Sequence, residues 1–129
     1  MHLIIRKSEI EGRGVFAGKD IQKGEIVIRW NCKELTSEEA KILPETEKKY
    51  LTFVDKKYYL MLPPARYVNH SCNPNTFVKD FCDVAKRNIQ NGEEITTDYS
   101  ATMDTTESMN CKCNSHNCRK IIRASITQF

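Results

Sequence analysis

Residues 66–75 read Arg66-Tyr67-Val68-Asn69-His70-Ser71-Cys72-Asn73-Pro74-Asn75 and bring an arginine, amides, an imidazole and a thiol together. Burying so many hydrogen-bonding and ligand groups costs free energy unless they find partners. Asn-Pro marks a turn, so this stretch alone would also suit an ordinary polar surface loop. Two later stretches favour a functional site: Gly92-Glu93-Glu94-Ile95-Thr96-Thr97-Asp98-Tyr99 and Cys111-Lys112-Cys113-Asn114-Ser115-His116-Asn117-Cys118.

Length and charge narrow the class of protein. A chain of 129 residues predicts one domain with a single modest core. No apolar run approaches membrane-spanning length, and the first residues lack the long apolar region of a secretory signal, so we expect an intracellular protein. A net charge of +3 is too small to indicate nucleic-acid binding. The basic residues Arg119, Lys120 and Arg123 suit a solvated tail, with contact to nucleic acid or an acidic partner as the alternative.

The six cysteines are an even number and would permit three disulfides. In an intracellular chain the thiols stay reduced, so metal binding is the better interpretation. Cys111, Cys113 and Cys118 are close enough in sequence to converge on one ion, and structural zinc takes four ligands in a tetrahedron. The spacing alone leaves four candidates for the remaining ligand: Cys72, His116, Cys32 and Cys82.

Short β-branched and aromatic runs between glycine and proline turns predict a mostly-β domain. We expect strands over residues 2–7, 25–30, 76–79, 83–86 and 94–97, and a hairpin of 50–54 with 58–62 that turns at Asp55-Lys56. Thr36-Ser37-Glu38-Glu39 is a capping box that opens a short helix, which Pro44 would end. Asn91-Gly92 predicts a turn. The polar residues 101–110 lack periodicity and predict a mobile loop.

The pattern Gly12-x-Gly14-x-x-Ala17 formally matches a dinucleotide-binding fingerprint. That fingerprint requires a helix directly after the glycines, and the short interval to Gly24 leaves little room for one. No alternation of strands and long helices follows, as a doubly wound sheet would require. Two interpretations remain: a plain tight turn, or a turn whose bare backbone lets a small ligand approach closely.

Together these stretches resemble the SET-domain protein-lysine methyltransferases over most of the chain. Residues 12–16 resemble the first cofactor turn of that family, 66–75 its central signature, and 92–99 the segment that ends in its active-site tyrosine. Cys111-x-Cys113-x4-Cys118 resembles the post-SET zinc module. The resemblance implies a mostly-β, β-clip fold with a pseudoknot. It divides the chain into a SET domain at residues 1–100 and a post-SET segment at 101–129, which form a single structural unit.

The same resemblance implies methyl transfer from S-adenosylmethionine to the side-chain amine of a lysine in a histone or another basic protein. Tyr99 would be the catalytic residue, although a tyrosine in this position could also be an ordinary core residue. Cofactor contacts are implied for Gly12, Arg13, Gly14, Asn69, His70 and Tyr99. The implied zinc ligands are Cys72, Cys111, Cys113 and Cys118. Four thiolates leave no open coordination position, so the zinc would be structural.

The sequence departs from the family pattern in three places. Trp30 stands where many members have a tyrosine, so one hydrogen bond near the lysine is missing. Thr97 stands where an aromatic residue often helps to set the number of methyl groups added, so that number is unreadable. The segment between Trp30 and Arg66 is short, so a second subunit could complete the substrate groove as a homodimer.

Two alternatives differ in class from an enzyme. The first is a zinc-stapled SET-like module that binds cofactor or peptide but turns over poorly. The second is a small zinc-ribbon-like nucleic-acid binder, which would bind zinc but no cofactor. For the enzyme we expect a lysine-bearing protein as partner, no membrane and no direct nucleic-acid contact. Its expected location is the nucleus or chromatin if the source is eukaryotic, and the cytoplasm otherwise.

Overall fold

The computed structural model describes residues 2–103 and 108–124. Within these residues, short strands form four sheets, and the helices are few and short. In chain order the elements are β1 (Leu3–Lys7), β2 (Arg13–Ala17), β3 (Ile26–Arg29), β4 (Cys32–Leu35), α1 (Ser37–Lys41), α2 (Glu45–Lys48), β5 (Leu51–Val54), β6 (Lys57–Met61), a 3-10 turn (Ala65–Tyr67), β7 (Asn69–His70), β8 (Thr76–Lys79), β9 (Cys82–Ala85), β10 (Glu94–Thr97), a second 3-10 turn (Tyr99–Thr102), β11 (Ser108–Asn110) and β12 (Ile121–Arg123). The mostly-β class predicted from the sequence is confirmed.

One sheet brings together the glycine turn at residues 12–14 and the two stretches at residues 66–75 and 92–99. Its strand order is β1-β2-β10-β7, with β2 antiparallel to both β1 and β10. Strand β10 then pairs with β7 in parallel, with Thr96 opposite Asn69 and Thr97 opposite His70. The glycine turn before β2, the Asn69-His70 pair and the strand leading to Tyr99 therefore lie side by side.

The segments of residues 66–75 and 92–99 are in direct contact. Besides the β7–β10 pairing, the buried Asn75 side chain bridges to β10 with its amide. Its Nδ2 donates to the Glu94 carbonyl over 2.8 Å, and its Oδ1 accepts from the Thr96 N–H over 2.9 Å. A buried amide with both ends paired fixes the register of the two segments without leaving a polar group unsatisfied.

The hydrophobic core lies against the same sheet. Val15 and Ala17 of β2 and Ile95 of β10 are completely buried, and Ile28 of β3 and Ile89 pack with them. Complete burial of a branched aliphatic side chain is worth roughly 1.5–3 kcal/mol relative to leaving it exposed. The site-bearing sheet is thus held rigidly by the core beneath it.

The predicted hairpin of residues 50–54 with 58–62 is confirmed. Asp55 and Lys56, which link β5 to β6, have φ angles of 51° and 63°, the left-handed conformation that two-residue hairpin turns of type I′ require. Asp80 and Phe81 link β8 to β9 in the same way.

The capping box of α1 is confirmed, but the role predicted for Pro44 is wrong. Thr36 Oγ1 accepts from the Glu39 N–H over 3.1 Å, and a Glu39 carboxylate oxygen accepts from the Thr36 N–H over 2.9 Å. The helix already ends at Lys41, and Pro44 instead precedes α2. Its fixed φ of −57° suits the residue that enters a helix as well as one that ends it.

The loop expected over residues 101–110 is wrong in part. Residues up to Thr102 continue a 3-10 turn, and Ser108–Asn110 form β11, which pairs with β12. Met109 faces the completely buried Ile122, so the pairing depends on a partner strand distant in sequence. Residues 104–107 lie outside the described part of the chain, as do 125–129, and the division at residue 100 stays a prediction. Among the residues described, no helix has the length and apolar character needed to cross a bilayer.

Candidate active site and metal centre

A cleft of about 1030 Å³ runs along the edge of the site-bearing sheet. Its lining includes five residues predicted from sequence for cofactor or catalysis, namely Gly12, Arg13, Asn69, His70 and Tyr99. Trp30 and Thr97 border the same cleft, and Lys112 brings the cysteine-rich segment to its rim. The cleft is at the upper end of the usual size range for small-molecule pockets, about 300–1,000 Å³.

The glycine turn presents its backbone to open space. Gly12 has a φ of +41°, a left-handed conformation that L side chains rarely adopt, and a Cβ there would meet no atom within 4 Å. At Gly14 the requirement for glycine is steric. It lies behind the turn, where an added Cβ would stand 2.3 Å from the Glu94 Oε2 atom.

Asn69 ties this turn to β7. Its Nδ2 group lies 3.0 Å from the Glu11 carbonyl oxygen, 3.0 Å from that of Arg13 and 2.9 Å from Glu94 Oε2. Two amide hydrogens thus serve three acceptors. In this structure the amide secures the turn, and a contact with the amino-acid end of a cofactor would have to replace one of these hydrogen bonds.

Glu94 and Ser8 complete this arrangement, and no role was predicted for either from sequence. Ser8 Oγ lies 2.8 Å from each oxygen of the Glu94 carboxylate. The sequence shows Glu94 as the second acidic residue of Gly92-Glu93-Glu94 but does not indicate which way its side chain points. Its inward orientation follows only from the pairing of β10 with β2 and β7.

We expect Gly14→Ala to lower the free energy of unfolding by roughly 1–3 kcal/mol, because its methyl group would displace the Glu94 carboxylate from Asn69 and Ser8. The double variant with Glu94→Ala should cost less than the sum of the two single changes, because the clash disappears with the carboxylate. Urea unfolding of the four proteins measures this. Strict additivity would show that a clash with Glu94 does not cause the loss of stability in Gly14→Ala.

Tyr99 is held from both ends. Its backbone N–H donates to His70 Nδ1 over 2.9 Å, and its hydroxyl donates to the carbonyl oxygen of Val68. Burial, with a smaller contribution from the negative charge of Asp83, raises the pKa of the phenol well above its usual range. The hydroxyl therefore stays protonated at neutral pH.

His70 is neutral at neutral pH, because burial lowers its pKa to about 4. Its Nδ1 accepts from the Tyr99 N–H, so the ring proton belongs on Nε2, which lies 3.4 Å from the Cys72 sulfur. The 3.7 Å approach of Nδ1 to Asp98 is consequently no ion pair. The imidazole connects the Tyr99 backbone to the sulfur of Cys72.

Four sulfurs converge beside the cleft. The Sγ atoms of Cys72, Cys111, Cys113 and Cys118 all lie within 4.8 Å of one another. Zinc–sulfur bonds of about 2.3 Å in a tetrahedron place the sulfurs about 3.8 Å apart. Cys72 Sγ and Cys111 Sγ are separated by 3.8 Å, so the donor set fits a tetrahedral zinc ion. The other candidates, His116, Cys32 and Cys82, are not members of this group.

The ionisation of the sulfurs favours a cation among them. Burial raises the pKa of the Cys111 thiol to about 12. Burial acts in the same direction on Cys113, but hydrogen bonds from the Cys72 backbone and from Ser115 outweigh it and lower that pKa to about 5. Neighbouring thiols cannot all ionise without positive charge nearby, and a zinc ion supplies it.

Arg119 links the four-cysteine cluster to the 3-10 turn that begins at Tyr99. Its backbone N–H and its Nε each lie 3.3 Å from the Cys72 sulfur, and its Nη2 lies 2.9 Å from Asp98 Oδ1. Asp98 accepts in turn from the Ser100 N–H over 3.0 Å and so caps the 3-10 turn that begins at Tyr99. The sequence predicted only a solvated basic tail for Arg119, because its partners are distant in sequence.

Comparison with known protein families shows which family this chain belongs to. The sequence model of the family described as SET domain matches residues 12–100. The chain belongs to the SET-domain family. The match begins at the glycine turn of this SET domain and ends just after Tyr99, whereas Cys111, Cys113 and Cys118 lie beyond it.

Curated relatives of the SET domain are named histone-lysine methyltransferases. Histone-lysine N-methyltransferase trr of Drosophila melanogaster and histone-lysine N-methyltransferase 2D of Homo sapiens are each 31% identical over 92% of this chain. The H3 lysine-36 specific histone-lysine N-methyltransferase of Debaryomyces hansenii is 30% identical over 92% of it. The aligned region spans only 6%, 2% and 19% of the lengths of these relatives.

A solved structure supports the same fold. The crystal structure of a candidate histone methyltransferase from Plasmodium falciparum superimposes on the SET domain with a TM-score of 0.64 and 29% sequence identity. The superposition covers 76% of this chain and 92% of that one.

Proposed function

We propose that this SET domain transfers a methyl group from S-adenosylmethionine to the side-chain amine of a lysine in a protein substrate. One observation carries the proposal. A single cleft is lined both by the glycine turn with Asn69 and His70 and by Tyr99 and Trp30. Two reactants can therefore meet inside one partly enclosed space.

The residues present fit the cofactor. The Gly12 backbone faces open cleft with no atom in the way, and a glycine turn lets a ligand approach the chain closely. Backbone groups of Gly12, Arg13 and Gly14 and the Asn69 amide would hold its amino-acid portion, with His70 near the adenine. When bound, S-adenosylmethionine supplies the methyl group from a cationic sulfonium.

The amine must lose its proton before it can act as a nucleophile. With a pKa near 10.4, freeing the lone pair at neutral pH costs roughly 4–5 kcal/mol. A dry cleft lowers this cost, because burial disfavours the ammonium form. The neutral hydroxyl of Tyr99 hydrogen-bonds to the Val68 carbonyl, and together they form a fixed polar pair that orients the amine. Alignment of the reacting atoms supplies much of the remaining acceleration.

The four cysteines would hold a structural zinc ion. Four thiolates leave no position open, so this ion stabilises rather than reacts. Through Arg119 and Lys112 the cysteine-rich segment reaches both the 3-10 turn of Tyr99 and the rim of the cleft. We assign residues 101–129 to this post-SET segment and residues 1–100 to the SET domain, which work as one unit.

The substrate is a lysine-bearing protein, and the names of the relatives favour a histone or another basic protein. That substrate class places a eukaryotic form in the nucleus or on chromatin and any other form in the cytoplasm. The helical segment between β4 and β5 is short, so a second copy of the chain could complete the substrate groove.

The test combines binding and turnover. Zinc-loaded protein is titrated with S-adenosylmethionine by calorimetry, then incubated with labelled cofactor and a panel of core histones and other basic proteins. We expect binding of one cofactor per chain and label on a lysine, located by mass spectrometry. No binding to zinc-loaded protein would refute the proposal, and binding without transfer would favour a binding module.

A further inference from the structure

Asp83 has no role in the site described so far, yet it lines the same cleft as Tyr99, Trp30 and Thr97. Only 2% of its surface is exposed. Its Oδ1 atom is buried and has no hydrogen-bond partner among the residues described. A carboxylate oxygen in this situation is costly, and native proteins rarely leave one without a purpose.

The surroundings of Asp83 do not neutralise it. Burial raises the pKa of its carboxyl to about 6, and a hydrogen bond from the Trp30 indole opposes that rise. The group is therefore still largely ionised at pH 7.5. Tyr99 cannot satisfy it, because the phenol proton is donated to Val68. What Oδ1 lacks is a donor, and a positively charged donor would suit it best.

We propose that Asp83 binds the ammonium group of the incoming lysine, with its carboxylate accepting one of the N–H hydrogens from the cleft side. This inference rests on the proposed methyltransferase function. The sulfonium of the cofactor carries no N–H or O–H hydrogen and so cannot satisfy an acceptor oxygen, and the α-ammonium group of the cofactor would be held with its amino-acid portion at the glycine turn. A lysine ammonium offers three donors at the end of a flexible apolar stem, which suits a partly apolar cleft.

In this role Asp83 distinguishes a cationic side chain from a neutral one. A cationic amine gains the ion pair, whereas a neutral side chain of the same shape offers at most an uncharged hydrogen bond. Charged hydrogen bonds commonly separate such ligands by about tenfold or more in affinity. An amine held as ammonium is also harder to deprotonate, so Asp83 favours capture at some expense of rate.

The chain carries its own reporter of this site. Trp30 is the only tryptophan in the sequence, and its indole contacts the Asp83 carboxylate. The fluorescence of Trp30 in the zinc-loaded full chain can therefore follow titrations with n-butylammonium chloride, which mimics the lysine side chain, and with n-butanol, its neutral counterpart. We expect wild type at pH 7.5 to bind the cation about tenfold more tightly than the alcohol.

Two variants separate charge recognition from general damage. Asp83→Asn should reduce the preference for the cation to near one. Asp80→Asn is the matched control, because Asp80 is exposed on the same hairpin and its left-handed φ of 50° tolerates asparagine. It should leave the preference unchanged. A wild type without preference, or an Asp83→Asn protein that retains it, would overturn the proposal.

A measurement on wild type alone covers the case in which Asp83→Asn does not fold. The preference should weaken as the pH falls below about 6, because Asp83 then becomes protonated while the probe amine stays charged. Tyr99 stays neutral in this range, and the pKa of His70, about 4, lies below it. The other titratable groups that act on Tyr99 are Tyr50, Glu94 and Glu11. Glu45 also lines the cleft, together with the cations Arg13, Arg66, Lys48, Lys49 and Lys112. A preference that is constant from pH 8 to pH 5 would contradict the proposal.

The sulfonium is tested separately. If Asp83 served the sulfonium, Asp83→Asn would weaken S-adenosylmethionine binding relative to S-adenosylhomocysteine, which lacks the sulfonium charge; if it served the α-ammonium group that both ligands share, Asp83→Asn would weaken both. We expect both dissociation constants to stay the same in wild type and variant, and a change in either would overturn the assignment to the amine. Label transfer by wild type tests the methyltransferase function independently of either result.

Discussion

Replacing Tyr99 with phenylalanine is expected to lower kcat for methyl transfer by about 10²–10³-fold, the usual cost of one preorganised polar group at a reacting centre. The Tyr99 hydroxyl donates to the Val68 carbonyl, and the raised pKa of the phenol keeps that proton in place at neutral pH. Phenylalanine keeps the ring packed against His70, 5.4 Å away between ring centres, but removes the group that orients the amine. Labelled-methyl transfer under single-turnover conditions measures the loss.

The matched control is Tyr59→Phe. Tyr59 lies on β6, packs against Phe81 and is not part of the cleft lining, so its hydroxyl should be dispensable for transfer. Zinc content and the dissociation constant for S-adenosylmethionine should stay close to wild type in Tyr99→Phe. A variant that transfers methyl groups at the wild-type rate would refute the role assigned to this hydroxyl.

Cys118→Ser is expected to abolish stoichiometric zinc binding and to release the cysteine-rich segment from the cleft. Structural zinc sites contribute about 10–16 kcal/mol in small zinc-binding peptides, far more than the short β11–β12 pairing can supply. Without the ion, the hydrogen bonds from Arg119 to the Cys72 sulfur and to Asp98 lose their fixed geometry. Cofactor affinity should fall together with zinc content.

Native mass spectrometry measures the zinc, and hydrogen exchange at the buried Ile122 reports the release of the segment. Cys32→Ser is the control, because Cys32 is likewise partly buried but lies outside the sulfur cluster. Chelation of wild-type protein should reproduce the Cys118→Ser result. Unchanged zinc stoichiometry in Cys118→Ser would show that this sulfur is not a ligand.

Local sequence chemistry predicted much of the fold. The capping box at Thr36 and Glu39 and the turn at Asp55-Lys56 each depend on residues a few positions apart, so the sequence contains all that is needed to form them. Strands β4, β7, β11 and β12 were missed for the opposite reason. Each is only two to four residues long, and each forms because a partner segment lies beside it.

The sequence by itself determined the family, through residues 66–75 and 92–99, and with it the mostly-β class, because those motifs and turn residues act locally. Only the tertiary structure decided which side chains meet. Parallel pairing of β10 with β7 turned Glu94 inward to Ser8 and Asn69, and the β8–β9 hairpin buried Asp83 beside Trp30. The physical reason is that charge and burial depend on neighbours distant in the chain, which no local pattern records.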